Sequence, residues 1–229
     1  MKVGIMQPYF FPYLGYFQLI YAVDRFVVYD DVNFITRGWI NRNFVLGQHG
    51  AQRITLQLSG ASQNKLINEI EVGNNSQELL KTISQLYSKA PYYDIVFPVI
   101  ESCLRNTEKN AANFLSLSLR KVTRYLGIAT EFHISSEIKK DPMLKGSEKI
   151  IAISKQLGAS KYINAIGGQT LYDKEYFIAN GVELFFLQTG EITYNQFGKE
   201  FIPNLSIIDV MMFNSPAQIL DYLSQYTLI

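Results

Sequence analysis

The chain has 229 residues, 48% of them hydrophobic and 18% charged, which suits a packed core and excludes a disordered polymer. Twenty-one basic residues against twenty acidic ones leave a formal charge of +1, so no general electrostatic attraction to nucleic acid or to an anionic membrane is expected. A single cysteine, Cys103, excludes an intrachain disulfide, no apolar run approaches the roughly 20 residues that span a bilayer, and Met1-Lys2-Val3-Gly4-Ile5 turns polar and aromatic too early for a signal peptide, so a cytoplasmic protein is expected.

In chain order, residues 3–6 form an apolar run that ends at Gln7-Pro8 and reads as a buried strand. Pro12 and Gly15 punctuate the next loop. Residues 14–23 carry Phe17, Ile20 and Tyr21 at helical spacing, and residues 26–29 read as a second buried strand ending in Asp30-Asp31. This β-loop-α-β order predicts two adjacent parallel strands joined by a crossover helix. Residues 44–46 and 54–58 flank Gly47-Gln-His-Gly50 as a hairpin, and residues 67–72 read as a short strand. Three apolar stripes then predict helices: Leu79, Leu80, Ile83, Leu86 and Tyr87; Ile95 to Leu104; and Leu115, Leu119, Val122 and Leu126, stopped by Gly127. Alternation of strand and helix resumes with a strand at 131–135, a helix stopped by Gly158, strands at 162–164 and 182–187, and a last helix opened by Pro216. The expected fold is one α/β domain over 1–229 with a mostly parallel sheet, a hairpin excursion and a helical insertion at 76–126.

Ligands of open parallel sheets bind beyond the carboxyl ends of the strands. Polar residues stand at those ends here: residues 7–16 after the first predicted strand, Asp30-Asp31 after the second, Ser135-Ser136 and then Asn164 with Gly167-Gly168 after later ones. Two prolines stiffen the first loop, and Gly15 at a helix start admits close backbone approach. Gln7, Tyr9, Gly15 and Tyr16 therefore read as a mononucleotide or sugar-nucleotide cradle, or as an aromatic-plugged turn. Asp30 and Asp31 suit a divalent cation, a sugar hydroxyl or a general base, or a turn with a salt bridge to Arg37 or Arg42. Alternation along a strand admits one of the two to a site and favours Asp30. In the run from Arg37 to Asn43, the guanidiniums of Arg37 and Arg42 with the amides of Asn41 and Asn43 suit a carboxylate or a diphosphate, and Trp39 suits stacking on a sugar or base. Gln7, Asp30, Arg37, Asn41 and Arg42 are expected to converge on one concave site. Cys103 reads as core, His133 as structural and His49 as an exposed turn residue. No zinc set, Cys–His pair or Gly-x-Ser-x-Gly nucleophile is present, and no resident metal is expected.

The runs from Ile5 to Phe17, Val28 to Val32 and Arg37 to Asn43 resemble the WbqC-like family. So do Lys89-Ala-Pro-Tyr92, Tyr162-Ile-Asn164 with Gly167-Gly168, and Leu205-Ser-Ile-Ile-Asp209. The resemblance implies a link to bacterial surface-polysaccharide (O-antigen) gene clusters, in which some members bear names suggesting transfer of glycine to a sugar. The opening order is also similar to the nucleotide-binding fold of nucleotidylyltransferases and pantothenate synthetase. Its His-x-Gly-His signature is missing, and Tyr16 stands where the last histidine would. These resemblances imply a transferase that moves an acyl or aminoacyl group to an amino sugar or sugar nucleotide, with ATP and Mg²⁺. In that scheme Asp30 or Asp31 holds Mg²⁺, Arg37 or Arg42 stabilises charge, and the loop from Gln7 positions the nucleotide. Tyr9, Gly15, Tyr16, Trp39, Asn41, Asn43, Asn164, Gly167 and Gly168 contact the substrate. The alternative is a non-catalytic sugar-nucleotide- or nucleotide-binding partner in a polysaccharide-biosynthesis complex. Either way the expected partner is a small molecule, with no nucleic acid and no membrane span.

Overall fold

The computed structural model describes residues 1–198 and 200–229. The chain opens with β1 (Lys2–Met6), α1 (Leu14–Ala22) and β2 (Arg25–Val28). β1 and β2 are parallel neighbours, Val3 opposite Arg25 through Met6 opposite Val28, as their apolar runs imply. A hairpin of β3 (Arg42–Gly47) and β4 (Gly50–Thr55) and a small pair, β5 (Leu58–Ser59) with β6 (Glu71–Val72), precede three helices, α2 (Ser76–Tyr87), α3 (Tyr93–Leu104) and α4 (Ala111–Tyr125). The chain then returns to the main sheet through β7 (Glu131–Ile134), α5 (Gly146–Gln156), β8 (Lys161–Ala165), α6 (Lys174–Ala179) and β9 (Glu183–Thr189). It ends in α7 (Ile207–Phe213), α8 (Pro216–Ser224) and β10 (Tyr226–Leu228).

The main sheet has the order β10-β9-β8-β1-β2-β7, with every pair parallel except β10 on β9. Alternation along the strands sends side chains to two covered faces. Val3, Ile5, Val27, Tyr162 and Phe186 pack with Ile150 and Ile153 of α5 and Phe177 of α6. Phe26, Val28, Ile163 and Leu187 pack on the opposite side with α1, α7, α8 and the helices from 76 to 125. Strands buried on both faces carry continuous apolar runs, which is why they were readable without period-2 alternation.

α1 is apolar nearly all round because it lies between the sheet and α8. Its one buried amide, Gln18, donates from Nε2 to Tyr222 O at 2.8 Å and Gln225 O at 3.0 Å, tying α1 to the carbonyls at the end of α8. Gly127 and Gly158 end α4 and α5 in the left-handed region, at φ +72° and +69°. Pro216 opens α8 behind a Ser215–Gln218 capping box.

The structure departs from the sequence reading at 67–72. That stretch is a 3-10 turn (Ile67–Glu69) followed by the two-residue β6, and Ile67 and Ile70, three apart, are both buried. Among the described residues no helix is long and apolar enough to cross a membrane.

Cys103 is fully buried on α3, where burial pushes its thiol up to about 11. The native protein should therefore resist thiol reagents at pH 8. Cys103→Ser should lower stability by about 1 kcal/mol, read by urea unfolding, because a hydroxyl enters an apolar stripe.

Candidate functional site

Chain connectivity reverses at β1. From there β2 and β7 extend to one side of the sheet, and β8 and β9 lie on the other. The crossover helix after β1 covers one face and α6, after β8, covers the other, so a crevice opens between the carboxyl ends of β1 and β8.

The loop after β1 forms one side of this crevice, and it is anchored from within. Phe10 and Phe11 are buried plugs. Phe11 adopts φ +40°, and two side chains hold its carbonyl there: Asn43 Nδ2 and Ser206 Oγ each donate to it at 2.7 Å. Tyr16 is buried below and donates its hydroxyl to Gln7 O at 2.7 Å. With residues 10–12 buried as a run, Tyr9 and Tyr13 on either side are left partly exposed along the crevice, and Phe10 N donates to Trp39 O at 3.3 Å, bringing the sole tryptophan beside them. Trp39 is 48% exposed and meets Phe44 edge-on at 6.0 Å.

β8 supplies the other side. Asn164 is buried, with Oδ1 accepting from Ala165 N at 2.9 Å. A Cβ on Gly168 would lie 2.1 Å from Asn164 Nδ2, so a side chain there would displace that amide, whereas Gly167 faces open space.

Three adjoining chambers result. The first, of about 380 Å³, lies over β1 and β8 and is lined by Gln7, Tyr9, Tyr13, Trp39, Asn164, Gly167 and Gly168, with Tyr29, Tyr162 and Tyr172 opposite. The second, of about 440 Å³, shares Tyr9, Tyr13 and Trp39 and adds Asn43, Gln188 and Thr189. The third, of about 360 Å³, continues past Thr189 to the start of α1 at Leu14 and Gly15 and to Glu191. No described residue lining the first two is charged. Burial raises the hydroxyls of Tyr9, Tyr13, Tyr29, Tyr162 and Tyr172 above the ordinary tyrosine value, so all five remain protonated donors at physiological pH.

The structure thus divides the residues that the sequence singled out. Gln7, Tyr9, Trp39, Asn164, Gly167 and Gly168 line one chamber, Asn43 the second and Gly15 the third. Tyr16 and Asn43 also fix the loop from below.

Asp30, Asp31, Arg37, Asn41 and Arg42 line none of these chambers. Asp30 is buried and accepts from Ser136 N at 2.9 Å, Ser136 Oγ at 2.6 Å and Asn68 Nδ2 at 3.1 Å. Asp31 Oδ2 pairs with Lys140 at 2.9 Å and Lys149 at 3.0 Å. Neither aspartate is bonded to Arg37 or Arg42; three donors occupy Asp30, and the two ammonium groups beside Asp31 already neutralise it, an arrangement that does not fit a Mg²⁺ ion. Arg37 is exposed at φ +62°, Arg42 Nε donates to Gly38 O at 2.9 Å, and Asn41 Nδ2 donates to Leu56 O at 2.9 Å. These bonds shape the segment that carries Trp39 and set its entry into β3. Among the described residues no cluster of three metal-ligating side chains occurs.

Sequence reasoning missed Tyr13, Tyr29, Tyr172, Gln188, Thr189 and Asn204. Gln188 and Thr189 end β9, and the strand-end rule applied there would have found them.

The Asp31 cluster makes a pH prediction. Burial pushes the Asp31 carboxyl up, but the ammonium groups of Lys140 and Lys149 beside it outweigh that and hold the group below the usual carboxylate range. A depressed folded value means that the stabilisation is complete above the unfolded value, roughly 3.9, and is lost as pH falls through the folded one. Asp31→Asn should cost about 2 to 3 kcal/mol at pH 7, because two nearly buried lysines lose their counter-ion. Urea unfolding should show that gap closing below pH 4.

The fold and cleft define an α/β protein with an open crevice at a topological switch point. The model of the WbqC-like protein family matches residues 7–221, and the chain belongs to that family. It is 28% identical over 231 residues to the uncharacterized protein Rv1507c of Mycobacterium tuberculosis, covering 97% of each chain. No solved structure matches it.

Proposed function

We propose that this protein binds a sugar nucleotide in the switch-point crevice and transfers an acyl or aminoacyl group, glycyl included, to its amino sugar during synthesis of a bacterial surface polysaccharide. The observation that carries the reading is the lining of the first chamber: aromatic rings on two sides, the amides of Gln7 and Asn164 at strand ends, and a glycine turn. Aromatic faces stack on bases and sugars, and amides exchange hydrogen bonds with base edges and hydroxyls. The N-terminus of α1, whose Leu14 and Gly15 border the third chamber and which has no side-chain cap, suits the diphosphate. The resemblance to proteins of surface-polysaccharide clusters supports the pathway assignment.

In the transfer, the amine of the sugar attacks the carbonyl carbon of an activated acyl donor. A C–N bond forms, the bond to the leaving group breaks, and the amine gives up a proton. Neutral tyrosine hydroxyls are suited to donate to the oxyanion that develops.

A second reading, a sugar-nucleotide binder without catalysis, is favoured by the absence of any charged side chain among the described residues of the first two chambers. Mass spectrometry separates the two after incubation with UDP-glucosamine, whose amine is free, and either ATP with glycine or an acyl-coenzyme A. A mass gain of one glycyl or acyl unit on the sugar supports transfer. Binding with no mass change across donors supports the binder.

A further inference from the structure

An amine attacks an acyl carbon only after losing a proton, and near neutral pH an amino sugar carries its amine largely as ammonium. The first two chambers hold nothing to take that proton, since their described lining is uncharged and their tyrosine hydroxyls stay protonated. The third chamber differs. Glu191 is the one charged side chain among its described lining residues, and it is exposed, with no hydrogen bond or ion pair to a described residue. The backbone around it is nevertheless fixed. Before it, Gly190 N donates to Gln225 O at 2.9 Å. Beyond it, Tyr194 donates its hydroxyl and Gln196 its Nε2 to Oδ2 of the buried Asp209, each at 2.7 Å. Thr189, where β9 ends, meets the first turn of α1: a Cβ on Gly15 would lie 2.6 Å from its Oγ1. A free carboxylate is thus held in the chamber that the start of α1 borders.

We infer that Glu191 selects a free amine: it pairs with the ammonium group of an amino-sugar nucleotide whose nitrogen stands on the ring carbon next to the one bearing the diphosphate, and it takes the first proton which that nitrogen gives up. This rests on the proposed function and names its acceptor. That reading sets the diphosphate at the start of α1. Nitrogen and diphosphate on adjacent ring carbons stay close together, so the amine falls in the same chamber as Glu191. A carboxylate near a diphosphate repels it, and an ammonium between the two makes both contacts attractive. An N-acetylated sugar brings an uncharged amide there and leaves the repulsion in place. The step balances. One proton passes from the ammonium to the Glu191 carboxylate, and the freed lone pair forms the C–N bond to the acyl carbon. The bond to the leaving group breaks, and the second proton of the nitrogen departs with that group.

The test is calorimetric titration of the intact protein with UDP-glucosamine and with UDP-N-acetylglucosamine. At about pH 6.5 the free amine should bind about three- to fivefold more tightly, as an exposed ion pair allows. At about pH 9 the amine is neutral and the preference should vanish. The other titratable groups lining this chamber, Tyr13 and Tyr194, stay protonated through that range because burial raises both. Glu191→Gln should abolish the preference at about pH 6.5 with UDP-N-acetylglucosamine bound no more weakly and the melting temperature unchanged, since Glu191 holds no described partner. Equal affinities in the wild type, or a preference that survives Glu191→Gln, overturn the inference. If UDP-N-acetylglucosamine binds in either of those cases, the crevice stands as a sugar-nucleotide site and only the role of Glu191 falls. Binding of neither ligand overturns the inference together with the reading on which it rests.

Discussion

Asp30→Ala should lower the stability of the protein by about 3 kcal/mol, because it leaves three donors without their acceptor in a buried place. For a chain of this length that corresponds to a drop in Tm of roughly 6 to 12 °C. The carboxylate joins the end of β2 to Ser136 after β7 and to Asn68 in the turn before β6, and Asn68 N also donates to Asp30 O at 3.1 Å. Three separate stretches of chain are tied at one residue. Ligand binding by the folded protein should be nearly unchanged, since Asp30 lines no chamber. Thermal melts paired with binding at a temperature where both proteins are folded check this. Intact stability with lost binding would return Asp30 to the site.

Gly168→Ala should have the opposite signature, weakening ligand binding tenfold or more. The new methyl would stand 2.1 Å from Asn164 Nδ2 and 3.0 Å from its Cγ, so the amide has to leave its position in the first chamber. Because Asn164 is buried, a loss of a few degrees in Tm should accompany the change. Gly167→Ala is the control for the fold, since a Cβ there meets nothing within 4 Å and the variant should melt with the wild type. Gly168→Ala binding like the wild type would remove Asn164 from the site.

These two variants mark where the sequence could be read and where it could not. The opening β-loop-α-β was legible because an apolar run, a proline-bearing loop and a buried helical stripe each have a local signature. The strand-end rule pointed to Gln7, Asn164, Gly167 and Gly168, which line one chamber because parallel strands bring their carboxyl ends together. The same rule selected Asp30, which the structure turns away from the crevice. A carboxylate at a strand end looks the same in sequence whether it faces a ligand or a serine 106 positions away. Alternation did indicate that Asp30 and Asp31 would point apart, and they engage different partners, Ser136 and Asn68 for one and two lysines for the other.

Short elements left the weakest local signals. α6 has six residues and β10 three, and β10 exists because β9 offers it an edge to pair with. The aromatic content was ambiguous by nature. Tyr16 and Tyr87 are fully buried with bonded hydroxyls, whereas Tyr9 and Tyr13 line the crevice, and only the pinning of Phe10 and Phe11 decides which tyrosines face it.

The central claim is that the crevice between β1 and β8 is a binding site for a sugar nucleotide. Its most direct test uses Trp39, the one tryptophan of the chain, in the wall shared by the first two chambers. Titration with UDP-N-acetylglucosamine should give a saturable change in its emission that Gly168→Ala weakens at least tenfold and Asp30→Ala leaves in place. No saturable change with the sugar nucleotide, its nucleotide or its free sugar, matched by no heat of binding in calorimetry, would contradict the claim.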